Sequence, residues 1–95
     1  MPRRTEDLPE EYAAYSRALA RAIGNRIRQR RRQRGLSQER LRAQMELESV
    51  YVSRTQFSRI EIGESLPNAA ELIALVKVLH VSCDWLLFAD EETNT

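Results

Sequence analysis

The chain has 95 residues, 42% hydrophobic and 31% charged, with 15 basic and 14 acidic side chains and a formal net charge of +1. That length suits one small domain with a modest core. No apolar run is long enough to span a membrane, and the arginines of Met1-Pro2-Arg3-Arg4 are not followed by the apolar stretch of a secretory leader. The lone Cys83 excludes an internal disulfide; lying in an apolar segment, it reads as a buried core thiol in a reducing cytoplasm.

No repeat, low-complexity tract or strand-like alternation interrupts the chain, so the expectation is all-α. Asp7 and Glu10 have the spacing of a capping box, with Pro9 tolerated in the first turn. Leu8, Tyr12, Tyr15, Leu19, Ile23 and Ile27 form a stripe at helical spacing. It predicts one long helix or two end-to-end helices reaching Gln33, with Gly35 as the stop and Gly24 as the place for a break. Ser37 caps a second helix from Gln38 to about Met45, with Leu41 facing inward. Residues 46–52 form a linker.

A third helix starts at Ser53. Gln56 is placed to return a bond to the Ser53 backbone, and Gly63 supplies the left-handed stop. Phe57 and Ile60 share the inner face; Arg54, Thr55, Gln56, Ser58 and Arg59 occupy the rest of the circumference. Such a helix suits the major groove of B-DNA, where arginine bonds guanine and glutamine bonds adenine bidentately. The plain alternative is an ordinary amphipathic surface helix. After a loop at 64–67, Asn68 caps a fourth helix, with Glu71 completing a capping box, to near His80. Ser82 caps a last short helix, Cys83 to about Phe88, and residues 89–95 read as a disordered acidic tail.

The near-neutral total hides an asymmetry. Between Arg17 and Arg42 ten arginines accompany one acid, Glu39, whereas from Ala43 onward three bases stand against nine acids. A polyanion would meet one side of such a domain, and arginine rather than lysine favours phosphate because the guanidinium fork matches its oxygens. A solvated helix face is the competing explanation.

In order along the chain stand Ile23-Gly24-x-x-Ile27-Arg28-x-x-Arg31, Gly35-Leu36-Ser37-Gln38-Glu39-x-Leu41, Ile60-Glu61-x-Gly63, Pro67-Asn68-x-x-Glu71-Leu72 and Leu79-x-Val81-Ser82-x-Asp84-Trp85-Leu86-Leu87. This signature resembles the helix-turn-helix domain of Cro/repressor-like, or xenobiotic-response-element, regulators. The resemblance implies a five-helix repressor-like domain over residues 19–88, with residues 1–18 as an added helix or an extension of helix one, helical from about residue 8. It further implies base reading by Arg54, Thr55, Ser58 and Arg59, and phosphate binding by Gln38, Ser53, Gln56 and Asn68. Arg31 and Glu61 would form a structural ion pair, and Trp85 and Leu36 would belong to the core.

Departures accompany the match. Leu41 to Phe57 spans sixteen positions, five more than the family's usual eleven, and the usual turn glycine has no match. Arg42 replaces the usual alanine after the helix-two leucine. Val52 takes the apolar place before the cap, Glu64 stands where a basic residue often reaches DNA, and His80 replaces a common glycine.

The expected function is a sequence-specific regulator of double-stranded DNA, a repressor in the cytoplasm, acting as a homodimer on a pseudo-palindromic operator. The dimer surface is expected at Tyr12, Tyr15 and Leu19 or at Leu86, Leu87 and Phe88. A protein-interaction role, as in antitoxins or coactivator-like adaptors, is the alternative from another class. One histidine and one cysteine, with no metal-ligand spacing, phosphate loop or nucleophile elbow, argue against an enzyme, a metal or any other cofactor. No small-molecule effector site is evident.

Overall fold

A computed structural model describes residues 9–90, and all its regular elements there are helices: α1 (Glu10–Gln33), α2 (Gln38–Leu47), α3 (Arg54–Ile62), α4 (Ala69–Leu79) and α5 (Cys83–Phe88). The Asp7–Glu10 capping box, the Leu8 start of the stripe and tail residues 91–95 lie outside the described residues. α1 packs on α3, α4 and α5, and α2 packs on α3 and α4. Ile23 and Ile27, Leu41 and Met45, Phe57 and Ile60, Leu75 and Leu79, and Leu86 meet in one core.

Of the two arrangements expected for the first helix, the single long one is found: α1 runs through Gly24 without a break. Gly24 is there for proximity. A Cβ at this position would collide with the carbonyl oxygens of Ile60 and Glu61, the latter at 2.8 Å. Gly63, with φ 84, ends α3 in the left-handed region and also lies under α1, where a Cβ would sit 2.7 Å from Arg21 Cα. The two glycines let the middle of α1 rest on the last turn of α3.

Upstream of that contact, the start of α1 overhangs the body. Tyr12 and Tyr15, members of the stripe and of one expected dimer surface, are 56% and 65% exposed. Only a shallow groove separates this overhang from Gly63, Glu64 and Leu66. Pro9 stands at the N-cap of α1 rather than in its first turn, with no side-chain cap bond.

α2 continues two residues past Met45, and Met45 is a second fully buried residue one turn after Leu41. The helix then closes on Ser49 at φ 66, with the Val50 amide donating to the Met45 carbonyl at 3.0 Å. Ser49 thus adopts the left-handed conformation for which no glycine had been found. Val52 is buried just before the α3 cap, in the apolar place expected of it. α4 carries the full Asn68–Glu71 capping box and ends on His80 at φ 56.

Cys83 is exposed, contrary to the expectation of a core thiol. α5 is six residues long and fully buries Leu86 alone, while Trp85 and Leu87 pack partly on the core. Cys83 opens its first turn on the solvent side.

Candidate nucleic-acid interface

α3 is fixed at both ends and from behind. Ser53 Oγ accepts the Gln56 amide at 3.0 Å, Gly63 closes the helix, and Phe57, Ile60 and Glu61 are buried. Arg54, Thr55 and Arg59 are exposed, and no side-chain bond or ion pair occupies them among the described residues. Ser58 is half-buried and donates to Gln38 Oε1 at 3.3 Å. Gln56 does not return a bond to the Ser53 backbone. Its amide donates instead to Ser65 Oγ at 2.9 Å, tying α3 to the following loop.

Behind this rim lies a buried ion pair. Arg31 Nε and Nη2 donate to the two Glu61 carboxylate oxygens at 2.6 and 2.9 Å, with side chains 11% and 2% exposed. Arg31 Nη1 also donates to the Leu36 carbonyl at 2.9 Å. Gln38 Nε2 donates to Glu61 Oε1 at 2.9 Å. The chain Ser58–Gln38–Glu61–Arg31 therefore joins α3, the start of α2 and the end of α1. It ties the start of α2 to α3. Gln38 is half-buried in this network, which leaves one N–H of its amide for an outside acceptor. Asn68 is exposed at the start of α4 with its Oδ1 bound to the Glu71 amide at 2.8 Å.

The arginine-rich run does more than present charge. Arg26, Arg30 and Arg34 share one face of α1 at four-residue spacing. Arg26 donates to the Leu86 and Leu87 carbonyls at 2.8 and 3.2 Å, and Arg30 Nε to Leu79 at 3.0 Å. Arg30 also reaches the His80 carbonyl, and Arg34 donates to that of Val78. Helix C-termini leave their last carbonyls unpaired and carry negative partial charge, so these three arginines act as caps for α4 and α5. Counting the run as one phosphate-facing surface missed this. The i, i+4, i+8 spacing was the signal that could have revealed it. Arg17 pairs with Glu10 and Arg28 bonds Asn25, whereas Arg21, Arg32 and Arg40 are exposed without a partner among the described residues. Arg42 Nε donates to the Val52 carbonyl at 3.0 Å and braces the long α2–α3 turn.

Of the expected dimer surfaces, Leu86 is fully buried and unavailable, while Tyr12, Tyr15 and Phe88 are exposed. Among the described residues, no helix is long and apolar enough to cross a membrane.

The family model described as a helix-turn-helix domain matches residues 22–85. The chain is 40% identical over 70 residues to the HTH-type transcriptional regulator DicA of Escherichia coli strain K12, covering 74% of this chain and 48% of that protein. It thus spans about half the length of the curated relative it matches. No solved structure matches it. With the family model covering most of the chain, this protein belongs to the helix-turn-helix domain family, in its Cro/repressor-like, xenobiotic-response-element branch.

Proposed function

We propose that the chain is a sequence-specific double-stranded DNA-binding transcriptional regulator of repressor type, with residues 19–88 as the binding unit and α3 as the groove-reading helix. One observation carries this reading. Arg54, Thr55 and Arg59 point outward, unpaired among the described residues, from a helix whose opposite face is locked into the core. Arginine forks held on a rigid rod can read guanine edges, and Thr55 can meet a thymine methyl or a base edge. Ser53, Gln56, Gln38 and Asn68 stand at helix starts, where positive partial charge favours phosphate. The relative's name, a transcriptional regulator, supports the same reading. One such helix offers few base contacts, so two copies on half-sites a helical turn apart complete the reading.

Selection of binding sites from a random duplex library, using the purified protein, tests this. Arg54→Ala and Arg59→Ala should each lose about 1–3 kcal/mol of discrimination between the selected site and random DNA. Gln38→Ala should weaken all duplexes alike. If both arginine variants keep full discrimination, the reading face is misassigned. A binding constant indifferent to salt would favour a protein partner instead.

A further inference from the structure

We propose that Arg42 is a DNA-phosphate ligand, holding one backbone phosphate in the cleft between α2 and the start of α3. This rests on the reading that α3 meets duplex DNA. Gln38, Glu39, Arg42 and Arg54 line an open cleft of about 310 Å³.

Three features suit Arg42 to the task. Its Nε is anchored on the Val52 carbonyl at 3.0 Å, while its two terminal nitrogens have no partner among the described residues. A guanidinium ordered before binding loses little freedom when a phosphate arrives, and its planar fork matches the phosphate oxygens. Gln38 lines the same cleft with one amide N–H uncommitted, and Arg54 adds an unpaired positive charge. Glu39 also lines the cleft and forms no ion pair among the described residues, so it opposes the phosphate. The long α2–α3 turn supplies the carbonyl that anchors Arg42.

The experiment measures binding of the full chain to its selected duplex and to a mixed-sequence duplex across a salt series. Arg42→Gln keeps an amide donor near the Val52 carbonyl but removes the charge. Its log K against log salt should be shallower than wild type by about 0.9, the value for one phosphate contact. Affinity should fall several-fold on both duplexes, with their ratio unchanged. Arg42→Lys, which keeps the charge, should retain the wild-type slope. Glu39→Gln should tighten both duplexes equally, and it carries the test if Arg42→Gln melts early. An unchanged slope in a folded Arg42→Gln, or a changed duplex ratio without a changed slope, would show a brace only and overturn the proposal. Unchanged affinity in Glu39→Gln would do the same. A wild-type protein whose binding ignores salt would remove the functional reading itself, and the two failures are thereby distinguishable.

Discussion

Single positions show how little slack the domain has. Replacing a mid-helix glycine with alanine ordinarily stabilises by roughly 0.5–1 kcal/mol. At Gly24 the sign should reverse, because the new methyl group would meet backbone carbonyls of α3 that cannot swing aside. Gly24→Ala should cost about 1–3 kcal/mol by overpacking, read from urea denaturation; a stabilised variant would show that the helices are not in that contact. Glu61→Ala leaves Arg31 charged and buried without its partner, a loss of ~3–5 kcal/mol. Against a total of ~5–15 kcal/mol, that loss should lower the melting temperature well below wild type, read by circular dichroism. His80 and Ser49 hold left-handed backbone without glycine. His80→Gly should relieve strain on the order of 1 kcal/mol, less the entropy gained by the unfolded chain, and raise the melting temperature.

At the scale of elements, α1 is the organiser. Its isoleucines enter the core, Gly24 seats α3, and Arg26, Arg30 and Arg34 cap α5 and α4 through their terminal carbonyls. A hydrogen bond from a charged donor contributes ~1.5–3 kcal/mol when buried, and less where water competes. Arg30 is half-buried, so Arg30→Ala should destabilise by about 1 kcal/mol while leaving the salt dependence of DNA binding untouched. Paired denaturation and salt-titration experiments would decide. A shallower salt slope with unchanged stability would return Arg30 to the phosphate-facing set. The same logic separates Arg26, Arg30 and Arg34, which hold helix-end carbonyls, from Arg54 and Arg59, which have no partner among the described residues.

The whole molecule keeps a charge asymmetry that its net value of +1 conceals, and asymmetry is what long-range steering responds to. The proposed homodimer predicts two chains per selected duplex in light scattering of the complex; a one-to-one complex would sink the two-half-site arrangement. The helices and their order were legible in advance because capping serines, Asn68 and the stop glycines act within one turn of where they stand. The Arg31–Glu61 contact was anticipated through a resemblance. Spacing alone does not bring residues thirty positions apart together. Gln56 was misread as a capping partner because Ser65, nine positions later, offers its side chain a competing acceptor.

Local chemistry in the chain therefore determined which segments became helices, where α1 and α3 stop, and which face of α3 is apolar. Packing alone decided what the remaining polar groups do. It seated Gly24 against α3, left Tyr12, Tyr15 and Cys83 in solvent, and sent three arginines to helix ends far along the chain. The reason lies in range. Caps and periodicity are satisfied by neighbours a few residues away, whereas the partner of a long cationic side chain is set by which carbonyl or carboxylate the fold places within its reach.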